Sequence, residues 1–162
     1  MKTIGLLGGM SWESSLEYYR IINETVKKRL GSLHSAQCLM YSVDFAEIEA
    51  LQHAGEWDEL TRQMIAAVHR LERGGADFAV ICTNTMHRMA GEIEAATSIP
   101  LLHIADATAV AIKASGLTKV GLLGTRFTME GSFYRDRLEQ DHGLGVVIPG
   151  ENDREKVHRI IY

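Results

Sequence analysis

Several features are scarce in this chain, and each scarcity excludes something. It carries no block of Lys or Arg, and 17 basic against 21 acidic residues leave a net charge of −4. The electrostatic footprint of a nucleic-acid binder is therefore missing. No apolar run approaches the roughly 20 residues of a bilayer-spanning helix, so no membrane span is expected. The opening MKTIGLLGG joins a Lys and a short apolar run to a Gly pair, without a signal-cleavage pattern. It reads as a first core strand. Only two prolines occur and no segment is low in complexity, so no long linker is expected. The two cysteines, Cys38 and Cys82, have neither metal-ligand spacing nor the makings of a disulfide framework. Each lies in an apolar run and reads as a reduced, buried thiol of a cytoplasmic protein. What is present, 46% hydrophobic and 23% charged residues, is ordinary for a globular chain. Its 162 residues allow one domain, or one and a fraction.

Periodicity supplies the organisation. Residues 3–8, 36–43, 76–81, 101–104, 119–123 and 145–148 read as strands. Helical spacing runs through 13–30, a short segment after Asp44, 57–73, 85–97, 106–115, 129–142 and 152–162. In 13–30 the apolar positions are Leu16, Tyr19, Ile22, Val26 and Leu30; in 57–73 they are Trp57, Leu60, Met64, Val68 and Leu71. Strands alternating with helices imply an α/β fold with parallel sheets and right-handed crossovers. Ile4-Gly5-Leu6-Leu7-Gly8 returns as Val120-Gly121-Leu122-Leu123-Gly124, each followed by a helix with Tyr-Arg, at 19–20 and 134–135. A duplicated half-unit explains that echo better than coincidence. The expected domains are 1–100 and 101–162, the second incomplete, because a full mirror of the first would need another strand and helix.

Three strand-to-helix turns carry the candidate chemistry, and in an α/β fold ligands bind at the carboxyl ends of strands. The first, GLLGGMSWES, places Gly9, Met10 and Ser11 where backbone N–H groups could cradle a small anion. A tight turn that needs Gly, with Ser11 as helix cap, accounts for the same residues. The second, ICTNTMH, holds Cys82, Thr83, Asn84, Thr85 and His87. Strand alternation sends Cys82 and Thr83 in different directions, and Cys82 reads as a core residue. Asn84 and Thr85 can cap the following helix or hold a carboxylate, and His87 can support a neighbour, bind substrate or sit at the surface. The third, GTRFTME, offers Thr125 and Thr128 as hydroxyl donors, with Thr128 expected at the helix N-cap. No metal site is expected.

These turns, taken with RLERGGADFAVICTNTMH and VGLLGTRFTMEGSFY, resemble the aspartate/glutamate racemase family across essentially the whole chain. The resemblance implies a pseudo-symmetric pair of flavodoxin-like domains with helices on both sheet faces and one site in the cleft. It also implies cofactor-independent, two-base α-proton transfer, with no pyridoxal phosphate and with one catalytic Cys per domain. The first such Cys usually begins Cys-Asn-Thr-x-His. Here Asn84, Thr85 and His87 match, and Thr83 occupies the Cys position. The second family Cys, in a Gly-Cys-Thr-type motif, and a lysine contact would fall past residue 162, so the chain reads as a C-terminally truncated form. The resemblance implies Thr83 as the catalytic position and Gly9, Met10, Ser11, Asn84, Thr85 and Thr125 as substrate contacts. Gln52 is a candidate for side-chain selection, although a polar helix surface would explain it too. Cys82, His87 and Thr128 are supporting candidates. The expected partner is a small amino acid or dicarboxylate, and the full-length protein is expected to be a homodimer. Two other readings stand beside this one: a one-thiol decarboxylase or dicarboxylate isomerase, and an inactive carboxylate-binding fragment.

Overall fold

A computed structural model describes residues 1–31 and 33–161. In chain order the elements are β1 (Ile4–Gly8), α1 (Trp12–Leu30), β2 (Cys38–Ser42), α2 (Phe45–Ala54), α3 (Trp57–Arg73) and β3 (Phe78–Ile81). A 3-10 segment (Thr85–Met89) follows, then α4 (Ala90–Ala96), α5 (Ile104–Ala114), β4 (Lys119–Gly121), α6 (Arg126–Glu130) and α7 (Ser132–Asp136). A π-helical turn (Arg137–Asp141), β5 (Gly145–Val147) and α8 (Glu151–Ile161) complete the described chain. Position 162, the expected last residue of that final helix, lies outside the described residues. Packing divides the chain into two compact units. One comprises Met1–Thr83 and Met89–Leu102; the other comprises Asn84–Arg88 and the chain from His103 onward.

The first unit is built on a parallel sheet in the order β2-β1-β3. Leu6 stands opposite both Met40 and Val80. Its central strand is an apolar run because both faces are covered. On one face Leu6, Val80 and Cys82 pack with Ile4, Phe78 and Cys38 against Tyr18 and Ile22 of α1. On the other, Gly5 lies against Leu71 and Ala76 of the α3 region. There Leu60, Met64, Val68 and Leu71 of the predicted stripe are buried, while Trp57 at its start is half-buried. Each such side chain contributes about 1.5–3 kcal/mol on removal from water.

The stripe expected for α1 behaves differently. Leu16, Tyr19 and Leu30 are 53%, 47% and 54% exposed, and Ser15 is the helix's buried residue. The line that meets the sheet runs through Tyr18 and Ile22, so it is offset from the most apolar line. The strand expected at 101–104 reduces to a parallel bridge between Ala79 and Leu101. The backbone turns into α5 at His103, which ends the ladder.

The second unit holds a parallel β4–β5 pair in which Val120 faces Val146. Its core joins Ala105 and Ala109 of α5 to Tyr134, Leu138 and Leu144. The single helix expected over 129–142 is broken at Gly131, whose backbone is extended (φ −67°, ψ 139°). A side chain there would run into the Phe127 carbonyl, so only glycine permits this close turn. The Tyr-Arg echo is not matched in environment either: Tyr134 is buried in the core, and Tyr19 is open. Asp106 of α5 takes a two-pronged bond from Arg137 (2.7 and 2.8 Å) and one from His142 (2.8 Å). The Arg137 guanidinium, aided by His142, holds the Asp106 carboxyl well below the usual carboxylate range. No described helix is long and apolar enough to cross a membrane.

Candidate functional site

The turn after β1 is held from inside. Gly9 has φ +96°, a conformation open to glycine, and any side chain there would collide with the Val43 carbonyl. The Gly9 N–H donates to the Ser15 hydroxyl at 3.0 Å, and that hydroxyl donates to the Ser11 carbonyl at 3.2 Å. The amide read as part of an anion cradle is thus already bound by Ser15. Ser11 occupies the N-cap position of α1, but its side chain makes no capping bond. Met10 is buried and Ser11 half-buried. Sequence reasoning missed Ser15, because a serine in the first turn of a helix carries no mark of a tertiary bond back to the preceding strand.

Gln52 departs from its expected surface role. It lies on α2, 4% exposed, and its Oε1 has no hydrogen-bond partner among the described residues. A buried acceptor left in this state is costly, so it stands out as a place where a donor would be welcome.

The turn after β3 separates its residues by chemistry. Cys82 continues the Val80 side of the strand into the core beneath α1 and is 1% exposed. Burial pushes its thiol up to about 12, so it stays protonated at neutral pH. Thr83 is half-buried and engaged within the protein. Asn84 is exposed, and its carbonyl accepts the His87 N–H at 3.1 Å. Thr85 is 5% exposed. Its hydroxyl oxygen lies 3.3 Å from that of Thr125 and 3.4 Å from that of Thr128.

His87 is not a surface residue. It is 2% exposed, and its Nε2 accepts the Ile104 N–H at 3.2 Å, at the start of α5. An accepting nitrogen carries no proton, so the ring proton sits on Nδ1. His103 caps the same helix: its Nδ1 accepts the Ala105 N–H at 3.1 Å. The two rings meet edge to face, 4.4 Å between centroids. Burial, reinforced by the neighbouring His87, lowers the His103 pKa to about 3. The sequence offered little signal for this pair, because histidine is an unusual N-cap.

The turn after β4 closes the cluster. Thr125, not Thr128, is the N-cap of α6, and its Oγ1 accepts the Thr128 N–H at 3.3 Å. Thr128 sits inside the helix at 2% exposure, with its hydroxyl 3.3 Å from that of Thr125. Three threonine hydroxyls therefore form a triangle. Two of the expected substrate contacts and one supporting residue, from turns 40 residues apart in sequence, share one polar cluster in the second unit. Gly9, Met10, Ser11, Gln52, Cys82 and Thr83 belong to the first unit, while Asn84 and His87 belong to the second. Among the described residues no group of three or more His, Cys, Asp or Glu is placed to hold a metal.

Such a cluster offers neutral donors, suited to an anionic oxygen and unable to act as a pre-formed base. Comparison with known proteins places the chain among similar sequences and structures. The family model described as Asp/Glu/hydantoin racemase matches residues 7–161. The broad specificity amino-acid racemase RacX of Bacillus subtilis (strain 168) is 28% identical over 141 residues, which is 84% of this chain and 60% of that protein. The chain thus spans less than two thirds of that curated relative. A crystal structure from Yersinia pestis, described as a candidate Asp/Glu racemase, superposes with a TM-score of 0.93 at 57% identity, covering 100% of this chain and 70% of that one. An aspartate racemase homologue from Pyrococcus horikoshii OT3 gives a TM-score of 0.85 at 34% identity, covering 99% of this chain and 70% of that one.

Proposed function

We propose, for a chain that belongs to the Asp/Glu/hydantoin racemase family, the racemisation of an amino acid without a cofactor. Aspartate and glutamate are the first substrates to test, and a broader set is the alternative. The family membership carries this reading, and the three-hydroxyl cluster supports it chemically. An α-proton is a very weak acid. With no electron sink, charge developing on the substrate carboxylate must be met by aligned donors. In this reading Asn84 and Thr125 supply such donors, with Thr85 bonded behind Thr125, and Gln52 helps to select the substrate's side chain; its unfilled Oε1 can only accept, so an acidic side chain would be met by its amide N–H.

Thr83 stands at the position where the first acid/base is proposed. A threonine hydroxyl can donate or relay a proton but is far too weak an acid to be pre-ionised. Cys82 cannot replace it, being a buried, protonated core thiol. In a full-length protein that supplies a thiol acid/base opposite Thr83, the two enantiomers should therefore exchange unequally: the one deprotonated by that thiol readily, the one deprotonated from the Thr83 side slowly.

The test is α-hydrogen exchange in D₂O, followed by NMR with L- and D-aspartate, L- and D-glutamate and a neutral amino acid. Exchange from one enantiomer well ahead of the other supports the reading. Equal rates overturn the role given to Thr83. No exchange from a folded chain, with turnover of maleate or a substituted malonate, replaces racemisation by the decarboxylase or isomerase reading.

A further inference from the structure

We propose that Thr128 is a positioning residue whose buried hydroxyl orients those of Thr85 and Thr125 for a carboxylate. The proposal rests on the carboxylate-binding reading above and adds a residue that need not touch the ligand.

Each hydroxyl has one proton and two lone pairs. The three oxygens lie 3.3, 3.4 and 3.3 Å apart, so all three edges of the triangle can hold a hydrogen bond. One lone pair of Thr125 is already taken by the Thr128 N–H. With all three protons inside, the ring is closed and offers nothing outward. Freeing one proton for an anion leaves two edges filled and turns the ring into a chain.

Burial decides which proton is freed. Thr128 is 2% exposed, Thr85 5%, and Thr125 half-buried. The outward donor is therefore Thr125. Its remaining lone pair accepts from Thr85, and Thr85 accepts from Thr128. Thr128 heads the chain, fixes the rotamer of Thr85, and polarises each bond after it. Its backbone N–H adds a second hold on Thr125. A plain packing role would need only the methyl group of Thr128, which valine also supplies.

The experiment compares the parent with Thr128→Val, which keeps shape and loses the hydroxyl, and Thr128→Ser, which keeps the hydroxyl. Three-bond couplings to the Cγ2 of Thr85 and Thr125 report their rotamers without any ligand. Titration with L-aspartate reports affinity. The parent and Thr128→Ser should show single rotamers, while Thr128→Val should show averaged couplings and an affinity about fivefold weaker, the effect of one net hydrogen bond. Thr128→Ala makes the same comparison should the valine variant not fold. Unchanged couplings in Thr128→Val overturn the proposal, and so does a parent with no affinity for L-aspartate. If the parent shows no α-proton exchange while the coupling and affinity effects hold, the racemase reading fails and the role of Thr128 stands.

Discussion

Cys82 and Thr83 are neighbours with opposite surroundings, and the difference is testable. Cys82 lies in an apolar cluster with Leu6 and Val80, where its thiol is raised from 9.0 to about 12. A raised folded-state value means that the stabilisation is fully present below about 9 and is lost as pH climbs toward about 12. The loss is about 1.4 kcal/mol for each pH unit in that window. Denaturant midpoints between pH 8 and 11 should therefore fall, and Cys82→Ala should flatten that alkaline limb. Cys82→Ser should cost roughly 1–3 kcal/mol by burying a hydroxyl in an apolar site. It should leave the ratio of L to D exchange unchanged; a collapse of exchange would assign the thiol a direct part. The core role of Cys82 was legible in its sequence, since a strand alternates faces. The burial of Gln52 was not: a lone polar residue on a helix looks the same whether it faces water or the interior.

At the scale of elements, the start of α5 is the junction that matters. His87 and His103 both accept backbone N–H groups there, so both must be unprotonated at those nitrogens. The His103 pKa falls from 6.5 to about 3. With a depressed folded-state value, the stabilisation is present above 6.5 and is lost as pH falls toward 3, at about 1.4 kcal/mol for each pH unit. His103→Asn keeps an N-cap acceptor and removes the titration, so its urea midpoint should decline less between pH 6.5 and 4 than the parent's. His103→Ala should lower stability at pH 7 by about 1 kcal/mol through loss of the cap. Asp106, held low by Arg137 and His142, adds its own loss only as pH falls below about 3.8, beneath that window. An Asn variant with an unchanged acid limb would refute this account.

At the scale of the molecule, α1 presents an open apolar line. Trp12, Leu16 and Tyr19 are 63%, 53% and 47% exposed, with Met40 at 45% nearby on β2. They line a hollow of roughly 410 Å³ with Ser15 and Cys38. Exposed apolar surface of this kind favours association. Sedimentation velocity should show self-association that grows with concentration, and Leu16→Lys should weaken it without lowering the thermal midpoint. A parent that stays monomeric at millimolar concentration would contradict this.

The sequence by itself determined the alternation of strand and helix, the α3 stripe, the apolar central strand, the core position of Cys82 and the two turns that carry the hydroxyls of Thr85, Thr125 and Thr128. Those follow from local periodicity and from residues that mark turns, which act over a few positions. Only the tertiary structure decided which apolar line of α1 is covered and that Ser15 holds the Gly9 amide. It also decided that Gly131 divides a helix, that His87 turns inward to α5, and that Thr85, Thr125 and Thr128 meet. Each of these depends on atoms distant in sequence approaching within hydrogen-bonding or van der Waals reach, and no local pattern encodes that approach.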